Sequence, residues 1–590
     1  MARNGSIGRW LVNRTNPEYI DYFSRVSSIS PICAQVLVNR GVKTPEQLTA
    51  FLNPDPGKLS DPFDLPGLKR AVERIKEARQ RGERVLIHGD YDADGVSATA
   101  IMVEALRTLG IDVHYFIPHR LNHGYGFGMP GIEKAKELGA KLIITVDCGI
   151  TSFEAVALAN ASGMEVIITD HHEPVRRNSE VSQQSIENRI QAPEDGVQKA
   201  DIVLPEAFAI VNPKISDALS GSAHLSGAGV AFKIVQGLFG NESDIVYKVL
   251  DIAALGTGAD VVPVLDDNRI ILKEGIKLIQ SGERIGIKAL KEAAGIRPEF
   301  FRTSLLYYVL VPRINAAGRI ADATDVVRLL TTHSEGEAET LARWLHGLNA
   351  KRQEIEEAVF QEALQMLEKA DARGPIVLAS AGWHLGVVGI VAARLAERFY
   401  RPSVVLSIEN GIAKGSARSI PAFDLHSGLA QCRELLKRFG GHKQAAGLAL
   451  PTENIEQLRA MLSRVVDNTL SEDDFFPVLN IDAAVNIADI SVELIDELAR
   501  LEPFGYGNDE PLLGARGLEV IQPKIVGKNH LKMRLRQGGR RVDSIGFDFG
   551  DLLPLVEENS HIDAAFVPAI NEWDGGRFIQ LNLKAIRPTQ

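Results

Sequence analysis

The sequence predicts an α/β protein: two α/β domains joined by a long helix, followed by a C-terminal β-barrel resembling an OB-fold. Three observations predict it. Short β-branched runs, VLIHGD (85–90), LIITVD (142–147) and VIITD (166–170), recur in order, with helical stretches such as AIMVEALRTLG and TSFEAVALANASG after the first two. That alternation is the mark of a buried parallel sheet. A second alternation brackets the helical GVVGIVAARLAERF between PIVLAS (375–380) and PSVVLS (402–407). After about residue 475 the chain turns to short alternating runs such as LKMRLR and FIQLNLKAI, the texture of a small barrel or sandwich.

With 590 residues the chain exceeds what one core organises. Residues 1–80, rich in turn signals, read as an N-terminal extension, and 81–334 as the first α/β domain. Within it, the polar and aperiodic 175–202 reads as a surface insertion. Residues 335–372 mix charged and apolar positions at helical spacing, a connecting helix. Residues 373–465 and 475–590 complete the domain order.

Composition narrows the class. The N-terminus lacks the apolar run of a signal peptide, and no stretch approaches the roughly 18 apolar residues of a membrane span. Cys33, Cys148 and Cys432 lie far apart, in neither a disulfide framework nor a zinc pattern. A reduced, cytoplasmic protein is expected. The formal net charge of −11 argues against non-specific coating of duplex DNA but leaves room for local basic patches. No GxxxxGK[ST] sequence is present, so ATP-driven action is not expected.

HGDYDADGVSATA (88–100) places Asp90, Asp92 and Asp94 within five residues. Like charges about 4 Å apart repel by roughly 4 kcal/mol at an effective dielectric near 20, so such a cluster needs cations, protons or exposure. A calcium loop fails, because its twelfth position would be Ile101 instead of glutamate and a strand precedes it. An acidic turn in water remains the plain alternative. Other strand ends weigh against it: VDCG offers Asp147, TDHHEP offers Asp170, His171 and His172, and LGTGADVVPV offers Asp260 after another apolar run. Ligands of open parallel sheets bind beyond the carboxyl ends of the strands. Imidazoles and carboxylates together suit manganese or a related first-row ion better than an all-protein magnesium cage. The ligand surplus suggests two ions about 3.5–4 Å apart, sharing a carboxylate.

HGDYDADG, VDCGI, TDHHEP and LGTGADVVPV, in this order, resemble the four phosphoesterase motifs of the DHH superfamily. VPRINAAGR (311–319), GWHLGVVGIVAARL (382–395), GSARS (415–419), FGGHKQAAG (439–447) and LEPFGYGNDEP (501–511) narrow the resemblance to the RecJ family, with DHH, DHHA1 and OB-like domains. The resemblance implies metal-ligand roles for His88, Asp92, Asp94, Asp147, His171 and Asp260, with Asp147 bridging. It makes Asp90 a support for the first ion or its water, His172 the contact to the scissile phosphate, and Asp170 the group that orients His171. Asp251 is a further acidic candidate with a structural role as its alternative. Gly258 departs from the family, which usually has an apolar residue there, and 175–202 lengthens the region after the DHH motif.

On the substrate side, Gly440 and Gly441 allow close backbone approach to a phosphate, beside His442. Arg313, Asn315, Arg319, Ser416 and Arg418 lie in family motifs and are donors suited to phosphate oxygens. KIVGKNHLKMRLRQGGRR (524–541) holds seven lysines and arginines and no acid, with Lys532, Arg534 and Arg536 expected on one strand face. That is a single-strand-binding surface or a solvated edge strand; Phe547, Phe549 and Trp573 are candidates for stacking on bases.

The resemblance implies a metal-dependent 5′-to-3′ exonuclease that converts single-stranded DNA to 5′-mononucleotides in recombination and repair. Manganese is the expected ion, with magnesium as the alternative. A monomer is expected, with single-strand-binding protein and a helicase as collaborators. Two rivals remain: a DHH phosphodiesterase of short oligoribonucleotides or cyclic dinucleotides, and a non-catalytic scaffold.

Overall fold

The computed structural model describes residues 8–120, 122–124, 126–176, 202–216, 221–297, 301–368, 374–573 and 576–589. Most of the 175–202 insertion therefore lies outside the described residues; its flanks, Val175–Arg176 and Ile202–Val203, pair as a short antiparallel ladder. The chain divides into two compact units, one of residues 53–351 and 502–509, the other of 1–52, 352–501 and 510–590.

The first unit is built on a five-stranded parallel sheet. Its strands are β1 (Val85–His88), β2 (Val113–Phe116), β3 (Leu142–Val146), β4 (Glu165–Thr169) and β5 (Ala209–Val211), in the order β2-β1-β3-β4-β5. Alternate side chains of a strand face opposite ways, and both faces are apolar here. Val85, Ile87, Ile144, Val146 and Ile167 pack into one core with the helices α1 (Ala93–Thr108), α2 (Gly227–Phe239) and α3 (Leu250–Thr257). Leu86, Ile143, Val166 and Ile168 pack on the other face against Ile132, Ala135, Val156 and Ala159 of helices Met129–Leu138 and Phe153–Ala161. Sheet strands buried on both sides explain the near-continuous β-branched runs. One further helix matters for the site, α4 (Val311–Ile320), and the 34-residue α5 (Glu335–Glu368) begins in this unit and continues into the second. Helix Leu68–Arg81 also belongs to this unit, packing on α2 and β5.

The second unit holds a five-stranded sheet of β6 (Ile376–Ser380), β7 (Ser403–Glu409), β8 (Ile412–Arg418), β9 (Arg438–Gly441) and β10 (Ala445–Pro451), ordered β9-β10-β8-β7-β6. Helix α6 (Val388–Phe399) connects the parallel pair β6 and β7. A barrel follows. Strands β11 (Leu513–Val526), β12 (His530–Gln537), β13 (Arg540–Gly546), β14 (His561–Trp573) and β15 (Gly576–Pro588) pair in the circuit β11-β12-β13-β15-β14, and β14 returns to β11 to close it. Closure leaves no free edge among these five.

Residues 1–80 do not form one extension. Arg9–Val12 adds in parallel to Val478–Ile481, Trp10 packs near Ile481, and Ser30 N–H donates to Glu497, so residues 1–52 group with the second unit. Residues 53–80 group with the first. Cys33, Cys148 and Cys432 are buried and unbridged. Among the described residues, no helix is long and apolar enough to cross a membrane.

Candidate active site

The acidic loop is positioned by two helix starts. Asp92 caps α1, its Oδ1 accepting from the N–H groups of Asp94 and Gly95 at 3.0 Å each. Asp94, in the first turn, is held from across the unit: its two carboxylate oxygens accept from Gly227 N–H at 2.7 Å and Ala228 N–H at 2.8 Å, the opening residues of α2. A carboxylate at a helix N-terminus is favoured by the free N–H groups and the helix dipole. Asp147 follows β3 directly and has φ 59°, a left-handed conformation rare for residues other than glycine. His171 follows β4, and Asp260 lies just beyond α3.

These residues converge. His171 Nε2 lies 3.1 Å from Asp147 Oδ1 and 3.8 Å from Asp94 Oδ2, and its Nδ1 lies 3.6 Å from Asp260 Oδ2. Three groups have ligand atoms within 4.8 Å of one another: Asp94, His171 and Asp260; Asp90, Asp92 and Asp147; and Asp147, His171 and His172. Asp147 and His171 each belong to two groups, the arrangement that adjoining ions sharing a ligand require. Close approach depends on glycine: a Cβ on Gly227 would lie 2.5 Å from Asp147 Oδ1, and one on Gly256 would lie 2.7 Å from Asp94 Oδ1.

Electrostatics identify what the cluster can hold. Burial and the neighbouring carboxylates push Asp90 and Asp147 well above the ordinary carboxylate range, and Asp94 up to about 8. Among the described residues, Asp90 Oδ1 and Asp147 Oδ1 are buried and accept no hydrogen bond. Buried acceptors left without donors are costly, and a divalent cation would satisfy both. The residues present therefore fit a pair of metal ions: Asp94, His171 and Asp260 would hold one, Asp90 and Asp92 the other, and Asp147, grouped with His171 on one side and with Asp90 and Asp92 on the other, would be shared. Burial and the charge of His172 push His171 down to about 4, so it is the neutral imidazole that a metal ligand must be.

His172 is different. Burial pushes it down, but the hydrogen bond and charge of Asp170, with Asp260 and Asp90, prevail and raise it to about 9. Its partner Asp170 is disfavoured as an anion by burial, yet the His172 hydrogen bond and charge bring it down to about 2. The Nδ1 to Oδ1 distance is 2.7 Å. Asp170 also accepts from the N–H groups of Ile150, His171 and His172. Asp170 thus orients the ring of His172, whereas the sequence suggests His171.

His88 departs further from expectation, since it joins none of the three groups. Strand alternation explains this. His88 points to the same face as Leu86, toward Phe127 and Phe116 at ring-centroid distances of 5.2 and 5.5 Å. A Cβ on Gly131 would lie 2.8 Å from its Nε2, and its Nδ1 faces Cys148 Sγ at 3.7 Å. Both ring nitrogens are directed at other neighbours. Asp90, expected to support the first ion or its water, groups with Asp92 and Asp147.

Around the site, Asn315 Oδ1 accepts from Ala93 N–H at 2.9 Å and so braces the acidic loop. Gly318 on the same helix approaches Tyr91 so closely that a Cβ would lie 2.1 Å from its carbonyl oxygen. Arg319 acts electrostatically on Tyr91, whose hydroxyl burial pushes up to about 12. Arg313 donates to Val309 O at 2.6 Å and to His346 Nδ1 at 3.4 Å. Asp251 pairs with Arg284 at 2.7 Å, a structural role. A Cβ on Gly258 would lie 2.8 Å from Leu306 Cδ2 and 2.9 Å from Tyr307 Cε1, which accounts for glycine there. Sequence reasoning missed Arg120, whose guanidinium lies 5.3 Å from the Tyr91 ring centroid and whose charge reaches Asp90. It also missed Gly227, although Ser226 followed by GAGV is a helix-start signal.

In the second unit, β8, β10 and β9 align Ser416, Gly447 and Gly440 across three strands, and Arg418 lies two residues along from Ser416. A Cβ on Gly389, in the first turn of α6, would lie 3.1 Å from Ser416 Oγ and 3.9 Å from Arg418 Nη2. Hydroxyl, guanidinium and helix N-terminus thus share one spot, a donor set suited to an anion. Gly441 has φ 141°, and His442 N–H donates to Ala445 O at 2.8 Å with the residue exposed. On the barrel, Leu531, Met533 and Leu535 are buried while Lys532, Arg534 and Arg536 take the other face, as alternation predicts. Arg534 pairs with Asp543 at 3.0 Å and Arg536 with Glu519, so acids from neighbouring strands offset a run that looks purely basic in sequence. Phe547 is exposed, Phe549 is buried, and the side chain of Trp573 lies outside the described residues.

Comparison with known proteins completes the site. Residues 84–257 match the DHH family N-terminal domain, 373–468 the DHHA1 domain and 481–585 the RecJ OB domain. The single-stranded-DNA-specific exonuclease RecJ of Bacillus subtilis is 39% identical, over 98% of this chain and 70% of the relative. That of Salmonella typhimurium is 34% identical, over 95% of this chain and 96% of the relative. A crystal structure of RecJ in complex with Mn2+ from Thermus thermophilus superposes with a TM-score of 0.82 at 30% identity, covering 99% of this chain and 80% of that one. A second structure from that organism holds Mg2+. Full-length identity of this order, with all three domains in sequence, places the chain in the RecJ family.

Proposed function

We propose that this chain is a single-strand-specific exodeoxyribonuclease that removes 5′-mononucleotides from the 5′ end of DNA with two divalent cations, manganese first and magnesium as the alternative. The observation that carries the reading is the convergence of Asp90, Asp92, Asp94, Asp147, His171 and Asp260, with two buried carboxylate oxygens that accept no hydrogen bond among the described residues, in a RecJ-family chain. When bound, such a pair of ions supplies an activated water and neutralises charge on the phosphate and leaving oxygen. The chain's own residues do the rest. Neutral His171 and the carboxylates hold the ions. His172, a cation near neutral pH, is aimed by Asp170 and stabilises the negative charge that builds on the scissile phosphate. Asn315 and the α2 amides fix the acidic loop before substrate arrives. Arg313, Arg319, Ser416, Arg418, Gly440, Gly441, His442, Lys532, Arg534 and Arg536 are the proposed contacts to the strand.

The reading extends to a cytoplasmic monomer acting in recombination and repair. Its substrate supports the collaborators: a helicase produces single strands, and single-strand-binding protein covers them. The test compares strands labelled at the 5′ or 3′ end, with Mn2+ and with chelator. Stepwise loss from the 5′ end, abolished by chelator and by Asp147→Ala, is expected. Cleavage confined to dinucleotides, or undiminished in Asp147→Ala, overturns the assignment.

A further inference from the structure

The three most exposed large apolar side chains among the described residues are Val261 and Tyr308, each 79% exposed, and Tyr506, 61% exposed. They are far apart in sequence but lie on segments that pack together beside Asp260. Val264 N–H donates to Tyr506 O at 2.8 Å, tying residues 502–509 to the turn that carries Asp260 and Val261. A Cβ on Gly505 would lie 2.6 Å from Val264 Cγ2 and 3.1 Å from the Tyr307 hydroxyl, so Tyr307 is wedged against both. Tyr307 also packs against Gly258, two residues before Asp260. Tyr308, its neighbour, lies in a π-helical turn, Leu306–Leu310, a feature frequent at functional sites.

The platform is fastened from below. Arg269 donates to the carbonyl oxygens of Glu502 and Pro503 at 3.1 and 3.3 Å, Asn508 Nδ2 donates to Pro503 O at 2.8 Å, and Thr303 Oγ1 donates to Glu502 at 3.3 Å. Two tyrosine rings held in solvent by a rigid base need a reason, because exposed apolar clusters mark binding surfaces. The adjoining Asp260, a proposed metal ligand, indicates what they meet. Unpaired bases carry apolar faces that a duplex hides, and aromatic side chains bind them whatever their identity.

We infer that Tyr308 and Tyr506, with Val261 next to Asp260, form a stacking shelf for unpaired bases of the strand being degraded. This rests on the proposed nuclease reading and adds a source for single-strand selectivity, since paired bases cannot offer their faces to a protein ring. The shelf is read out separately from the metal centre. For Tyr308→Ala with Tyr506→Ala, KM for a long 5′-phosphorylated single strand rises about 10- to 100-fold. Hydrolysis of bis(p-nitrophenyl) phosphate, which needs the ions but no bases, is unchanged. Tyr308→Trp with Tyr506→Trp restores KM, and a strand carrying 2-aminopurine near its 5′ end loses its fluorescence quenching only in the alanine variant.

If the wild type degrades DNA and the alanine variant matches it in KM and quenching, the shelf is wrong while the nuclease reading stands. Equal loss of model-ester hydrolysis would also overturn it, by showing that the tyrosines only support the fold. A wild type without nuclease activity would remove the reading on which the shelf rests.

Discussion

Asp147→Asn should stabilise the metal-free protein while destroying its activity. Asp147 is 2% exposed, and its ligand oxygen lies within 4.8 Å of those of Asp90 and Asp92. At that distance each like-charged pair costs about 3.5 kcal/mol at an effective dielectric near 20. Partial protonation relieves some of this, so the net gain from removing one charge is about 2–3 kcal/mol at pH 8. Asparagine tolerates the left-handed backbone that residue 147 adopts, so the substitution adds no conformational penalty. The sign follows from the raised carboxylates. Their native pKa values exceed the unfolded ones, so metal-free stability is fullest below about pH 4 and is lost as pH rises through the native values, about 8 for Asp94. Calorimetry in chelator should show the variant's first unit melting about 3–5 °C above wild type at pH 8, with the gap shrinking at pH 5. Added Mn2+ should reverse the order, because wild type gains more from binding. A variant melting at or below wild type at pH 8 in chelator would refute the picture of a carboxylate cluster awaiting cations.

Other perturbations follow from the same geometry. Gly227→Ala would place a Cβ 2.5 Å from Asp147 Oδ1; Mn2+ affinity by calorimetric titration should fall at least about tenfold, in the range of lost supporting contacts, with the far-ultraviolet circular dichroism unchanged. Because the hydrogen bond and charge of Asp170 hold the His172 proton above the ordinary imidazole value, kcat/KM should decline on the alkaline side as that proton is lost. Asp170→Asn removes the group that raises it, so that alkaline limb should move down toward the ordinary imidazole value near 6.5. Asn315→Ala leaves Ala93 N–H without its acceptor, costing about 1–2 kcal/mol. Half-saturation by Mn2+ should shift upward while DNA binding in Ca2+ stays the same.

Much of the site was legible because its carboxylates end strands. Asp90, Asp147 and Asp170 follow apolar runs too regular to be loops, and parallel topology then forces their convergence. The barrel and its alternating face were legible for the same reason, a clean period of two in LKMRLR. What stayed hidden depends on facing direction and on partners remote in sequence. His88 belongs to the acidic motif, yet strand alternation sends its ring to the opposite face. Asp170 serves His172 because backbone N–H groups at 150, 171 and 172 turn its carboxylate that way. The basic run on the barrel loses part of its charge to Asp543 and Glu519, which only strand pairing brings alongside. Residues 1–52 reach Val478–Ile481 through a parallel strand addition that no local pattern announces.

The most direct test of the dinuclear centre is a Mn2+ titration of the metal-free chain, followed by electron paramagnetic resonance and metal content per chain. Two manganese ions about 3.5–4 Å apart through a shared carboxylate should give an exchange-coupled multiline spectrum at two ions per chain, absent from Asp147→Asn. A simple six-line spectrum of isolated Mn2+, or binding that stops at one ion, would contradict it.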